Sequence, residues 1–221
     1  MQGIKFATAD GVTIAGNYFE GTAGGTAALL LHMMPATKES WTPLAEALGG
    51  RGFGAVLAID QRGHGASLAQ GDRRLDYKNF SDAEHRAKRL DVEAAAAWLV
   101  NERGASLARL VVAGASIGAN LAIRFAADHP AVPAVAALSP GLDYRGVTSA
   151  DAVARLGAGQ ALFLAASQED DYSFATVRGL AAEKSGAVLK ELRGAGHGTA
   201  MLVNAPDLFE SLADWLRKSV T

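Results

Sequence analysis

The sequence predicts an α/β protein: a mainly parallel sheet of about eight strands with helices on both faces. Three observations carry this. Short apolar, β-branched runs alternate with longer amphipathic segments along the chain. The runs at 27–31, 54–59, 110–113 and 134–138 hold no polar side chain, the pattern of strands buried on both faces. A leading pair, Ile4–Thr8 and Val12–Phe19, flanks Ala9-Asp10-Gly11, a hairpin signal.

After that hairpin, Gly21–Gly25 reads as a loop and Ala27–Leu31 as the first buried strand, ending in His32-Met33-Met34-Pro35. A helix follows, with Pro43 in its first turn, Trp41, Leu44 and Leu48 facing inward, and Gly49-Gly50 as the stop. The strand Gly54–Ile59 leads into the tight turn Asp60-Gln-Arg-Gly-His-Gly-Ala-Ser67, and residues 68–80 read as irregular. Ser81-Asp-Ala-Glu84 is a capping box that opens one long helix to about Arg103, closed by Gly104. Further strands are expected at 134–138, 160–166 and 187–192, and helices at about 150–156 and 174–184. An amphipathic helix over about 206–218 turns Leu208, Phe209, Leu212, Trp215 and Leu216 inward. No repeat, low-complexity tract or linker interrupts the 221 residues, which predicts one domain, 1–221.

The stretch around Ser116 is the chemical focus. Leu110–Ala113 is a strand, Gly114-Ala-Ser116-Ile-Gly118 a sharp turn, and Leu121, Ala122, Phe125 and Ala126 share one face of a following helix. Glycines two before and two after the serine let strand and helix pass closely, holding Ser116 in a strained conformation with its hydroxyl exposed. The Ile117 N–H then lies at a helix N-terminus, where developing negative charge is stabilised. A dinucleotide loop is the weaker reading: the spacing differs, the loop lies mid-chain, and no Tyr-x-x-x-Lys follows.

Net charge is −2, which points to neither nucleic acid nor an anionic membrane as partner. The chain has no cysteine, which excludes disulfides, thiolate catalysis and Cys-ligated zinc. No signal-peptide pattern opens the sequence and no apolar run approaches the roughly 20 residues of a membrane helix. A cytoplasmic protein without membrane association, metal or cofactor is the expectation; oligomeric state is left open.

Four marks carry a family resemblance: Leu29-Leu-Leu-His32 after an early strand, Asp60-Gln-Arg-Gly-His-Gly-Ala-Ser67, Gly114-Ala-Ser-Ile-Gly118 and Gly194-Ala-Gly-His197. With them the chain resembles the α/β-hydrolase superfamily over nearly its whole length, and within it small bacterial serine esterases and dienelactone-hydrolase-like proteins. Two departures stand out. His32-Met33 replaces the usual His-Gly after the early strand, and Ser167 stands where a Gly-x-x-Asp spacing has its glycine. The resemblance implies a Ser…Asp…His order and an oxyanion hole.

On that order, Ser116 is the expected nucleophile and His197, in a Gly-flanked loop after the last strand, its base. Asp170, just past a buried strand end, is the expected partner of the imidazole. Asp171 is the substitute and Glu169 a distant third, and all three could instead form a solvated turn capping the next helix. The Ile117 and Met34 amides are the expected oxyanion donors, with Met33 as the alternative to Met34. Met33, Leu142, Tyr144 and Tyr172 are candidate pocket residues. His64 reads as structural, Asp60 and Arg62 as braces of their turn, His32 as shaping the oxyanion loop, and His85 and His129 as surface or helix-end groups. About 20 residues separate Leu138 from Gln160, too few for a helical cap, so an open, shallow site is expected. The reading is hydrolysis of small or short-acyl esters through an acyl-enzyme. Thioester, amide or peptide hydrolysis by the same triad, and a non-catalytic binding protein on the same scaffold, are the alternatives.

Overall fold

The computed structural model describes residues 1–21 and 26–220. The loop expected at 21–25 therefore lies, apart from Gly21, outside the described residues. Among the described residues twelve strands and eight helices follow one another. They are β1 (Gln2–Ala7), β2 (Val12–Glu20), β3 (Thr26–Leu31), α1 (Thr42–Gly50), β4 (Phe53–Ile59), β5 (Ala69–Gln70), β6 (Arg73–Arg74), α2 (Asp82–Arg86) and α3 (Arg89–Arg103). Then come β7 (Leu110–Ala115), α4 (Ile117–Asp128), β8 (Ala134–Leu138), β9 (Asp143–Tyr144), β10 (Val147–Thr148), α5 (Ala150–Val153), β11 (Ala161–Ser167), α6 (Asp171–Glu183), β12 (Val188–Leu192), α7 (Ala200–Asn204) and α8 (Pro206–Lys218).

The sheet runs β12-β11-β8-β7-β3-β4-β2-β5-β6, with β1 on β2. From β12 to β4 every neighbour is parallel; β4–β2 and β2–β1 are antiparallel. Eight strands of five or more residues match the expected sheet, and the two-residue β5 and β6 extend its edge. Alternation along a strand divides the core into two layers. Leu29 and Leu31 of β3 face α3 and α4, while Ala28 and Leu30 face α1 and α8. Leu208, Leu212 and Leu216 of α8 are buried as its pattern predicted, with Phe209 and Trp215 packed at the margin.

The differences from expectation are local. The helix expected over 81–103 is two: the capping box at Ser81 starts α2, the axis breaks at Ala87–Lys88, and α3 continues. At the break, both His85 and Lys88 are buried. The segment 68–80 holds the β5–β6 hairpin and a short 3₁₀ turn at 77–79. α1 runs through Gly49 to Gly50, with Arg51 as its C-cap. α6 starts at Asp171, three residues early, because the Asp170 side chain caps it. The span between β8 and β11 holds the β9–β10 hairpin and α5, and no helical cap. No helix among the described residues is long and apolar enough to cross a membrane.

One buried group runs against the folding balance. Lys88 is fully buried, and its Nζ has no hydrogen-bond partner among the described residues. Burial pushes its ammonium down to about 7, against the pull of Asp91, with Arg62 adding to the depression. Because the folded value lies below the ordinary lysine value of 10.5, the unfolded chain takes up this proton first as pH falls. Stability should therefore drop as pH falls from about 10.5 to 7, and level off below. Lys88→Met keeps the apolar stem and removes the charge. It is expected to raise neutral-pH stability by roughly 1–4 kcal/mol and to flatten that slope in urea titrations run at several pH values.

Candidate active site

The elbow is built as its glycines require. Ser116 sits at φ 54, ψ −124, a strained position for a residue with a side chain. A Cβ at Gly114 would lie 2.0 Å from Gly118 O, and one at Gly118 would lie 2.4 Å from Leu31 O. Only glycine lets β7, α4 and the end of β3 meet this closely. The Ser116 N–H donates to Leu138 O at 2.8 Å, fastening the turn to β8.

The loop after β3 is braced from beneath. His32 is fully buried: its Nδ1 bonds Met33 O at 2.9 Å, and its Nε2 accepts the Gln61 N–H at 3.0 Å. Burial drives its pKa down to about 4, so the ring is neutral, with Nδ1 as the donor. Neither the Met34 nor the Ile117 N–H donates to a protein group among the described residues. Met33 packs toward the α1–α8 layer and Met34 toward the α3–α4 layer.

Asp170 and His197 come from adjacent strand ends, β11 and β12. Nδ1 of His197 lies 2.6 Å from Asp170 Oδ2, leaving Nε2 for a reacting group. Asp170 also caps α6, its Oδ1 accepting the Ser173 N–H at 3.5 Å. One carboxylate thus both pairs with the imidazole and caps the helix. Asp171 lies exposed in the first turn of α6, without a contact to His197. No hydrogen bond joins Ser116 to His197 among the described residues; Tyr144 neighbours both. Its ring packs edge-on to His197 with centroids 6.4 Å apart. Its hydroxyl bonds Ser173 Oγ at 2.9 Å. Burial raises the Tyr144 phenol, the Ser173 hydroxyl opposes this, the Asp170 carboxylate adds to it, and the Ser116 hydroxyl is a smaller influence.

Tyr172 packs edge-on to Tyr144 and exchanges hydrogen bonds with the Asp143 backbone, its hydroxyl accepting at 2.9 Å and donating at 3.1 Å. Tyr172 and Leu142 are exposed large side chains, 46% and 50% accessible, which leaves this rim open. Asn120 of α4 donates to Gly141 O at 2.8 Å and Val147 O at 2.7 Å, fixing the hairpin that carries Tyr144. Sequence reasoning did not single out Asn120, Ser139 or Ser173. Their contacts span 20 to 60 residues of chain, and nothing local signals them.

The other histidines divide. His64 stacks on Tyr77 with centroids 3.9 Å apart, as a structural residue. Asp60 accepts the Lys38 and Ala66 amides, and Arg62 pairs with Asp10 and Asp91, bracing their turn. His129 pairs with Glu93 at the end of α4. For His85 the surface alternative is corrected and the helix-end one holds: it stands in the last turn of α2 and is buried, its ring edge-on to Phe80. Among the described residues no group of three or more metal-ligating side chains stands together.

A parallel sheet flanked on both faces, a strained serine between strand and helix, and a carboxylate–imidazole pair at neighbouring strand ends define an α/β hydrolase. Residues 27–181 match the serine aminopeptidase, S33 family, and the chain belongs to it. A Pyrococcus furiosus esterase is similar over 100% of this chain and 91% of its own, at 19% identity and TM-score 0.78. An α/β hydrolase from a Penicillium species matches over 99% and 98%, at 15% identity and TM-score 0.80. A dienelactone hydrolase from Anabaena variabilis matches over 98% and 95%, at 18% identity and TM-score 0.72. No curated protein matches the chain. These structural likenesses concern the fold; the family assignment makes the chain a hydrolase.

Proposed function

We propose that the chain is a serine carboxylic ester hydrolase for small or short-acyl esters. The carrying observation is the 2.6 Å bond between His197 Nδ1 and Asp170 at the strand-end edge that also presents the strained Ser116. In this reading His197 Nε2 takes the Ser116 proton as Oγ attacks the ester carbonyl. The oxyanion forms against the Ile117 and Met34 amides, both free of protein partners among the described residues. Collapse of the intermediate expels the alcohol, protonated by His197, and leaves an acyl-Ser116 ester. Water, deprotonated by His197, attacks that ester and regenerates the serine. Asp170 keeps the imidazole tautomer and stabilises its cation throughout.

The open rim at Leu142 and Tyr172 supports small acyl groups, since nothing there encloses a long chain. The family description favours a second reading, cleavage of an aminoacyl amide by the same groups. A panel of p-nitrophenyl esters of rising acyl length, a thioester and aminoacyl p-nitroanilides separates them. The ester reading expects the largest kcat/KM on acetate or butyrate, falling at least about tenfold by dodecanoate. Preference for the anilides would favour the aminopeptidase reading.

A further inference from the structure

The turn after β11 and the loop after β12 are joined by more than the Asp170–His197 bond. Glu169 Oε2 accepts the Ser167 hydroxyl at 2.7 Å and the Gly194 N–H at 2.9 Å. Its Oε1 accepts the Gly196 N–H at 2.7 Å. Ser167 Oγ in turn accepts the Ala195 N–H at 3.0 Å. Three successive amides thus converge on one carboxylate–hydroxyl pair. Gly194 at φ 65 and Gly196 at φ 81 turn the backbone into a concavity of N–H groups, the geometry that holds anions. Here the anion comes from the chain itself. The Ser167 hydroxyl and then the Gly196 N–H hold the Glu169 carboxyl down at about 2, so it is charged at any neutral pH. Beyond the histidine, the Gly198 N–H donates to Ser139 Oγ at 2.9 Å. His197 is strung between two anchors.

We propose that Ser167 and Glu169 are positioning residues that clasp the 194–196 amides and so set the place of the His197 imidazole over Ser116. The role of His197 rests on the esterase reading; the clasp does not. One bond to Asp170 orients the ring but does not fix the loop that carries it, and three glycines at 194, 196 and 198 leave that loop little stiffness of its own. A base displaced by about 1 Å can cost 10²-fold in rate. The departure at position 167 also gains a purpose: a glycine there would leave the Ala195 amide without its acceptor. Glu169 is exposed, and its hydrogen bonds go to Ser167 and to the 194 and 196 amides, so its removal should loosen the loop without unfolding the protein.

The test uses full-length wild type, Glu169→Ala and Ser167→Gly, with kcat and KM on p-nitrophenyl acetate, thermal melting, and amide exchange of residues 193–199. The clasp expects kcat about 10- to 100-fold lower in Glu169→Ala, with KM within about threefold and Tm within about 3 °C. Exchange should accelerate in 194–196 alone. Ser167→Gly should show the same pattern, weaker, centred on Ala195. If Glu169→Ala does not fold, Glu169→Gln, which keeps the size and one acceptor oxygen, takes its place with the same expectations. Wild-type kcat with unchanged loop exchange overturns the proposal, as does a kcat loss that tracks a general fall in Tm. A wild type inert toward esters would end the esterase reading; the exchange result would still decide whether the clasp exists.

Discussion

Ser116→Ala is expected to lower kcat on p-nitrophenyl acetate by roughly 10⁵-fold or more. Its melting temperature should stay within about 2 °C of wild type. The Ser116 side chain neighbours the Tyr144 hydroxyl, which keeps its bond to Ser173, and alanine meets the same backbone strain at φ 54, so stability has little to lose. Activity has everything to lose, because in the esterase reading the Ser116 hydroxyl is the attacking group. A stopped assay with a burst of p-nitrophenol in wild type and none in the variant would read the acylation step directly. Retention of even a tenth of wild-type kcat would mean that Ser116 is not the nucleophile.

The second large effect falls on Asp170. Asp170→Asn is expected to lower kcat about 10⁴-fold, because the amide no longer enforces the imidazole tautomer that leaves Nε2 free. The same variant should melt close to wild type, because asparagine caps a helix about as well as aspartate and can still accept the Ser173 N–H. Catalysis and capping are thereby separated at one residue. Asp171→Asn should stay within about twofold of wild type, since Asp171 is exposed and the His197 imidazole bonds Asp170. If the two variants were equally impaired, the assignment of the acid between these neighbours would fail.

Much of this was legible in the sequence, for identifiable reasons. The long strands announce themselves because burial on both faces leaves runs such as Leu110–Ala115 without polar residues. The elbow is legible because glycines at 114 and 118 are demanded by close backbone approach, and such a demand leaves a local mark. Asp170 and His197 were read from their places at strand ends, which topology brings together. What was not legible is either very short or very long in range. The hairpin Asp143–Thr148 has two-residue strands, too brief for any period to show. His85 is buried against Phe80, five residues back across the α2 cap, so the Ala- and charge-rich pattern around it did not show its burial. The break at Ala87–Lys88 hides inside a sequence with a sound cap and good helix formers on both sides. Glu169 was weighed as a distant candidate for the triad acid. The structure instead turns its carboxylate to amides 25 and 27 residues away, a contact no local pattern encodes.

The most direct test of the serine-hydrolase account is intact-mass analysis after brief exposure to a fluorophosphonate, with peptide mapping of the adduct. The account predicts one phosphonyl group per chain, on Ser116, absent from Ser116→Ala and formed far more slowly in His197→Ala. An ester-hydrolysing protein that takes up no phosphonate, or carries it on another residue, would contradict it.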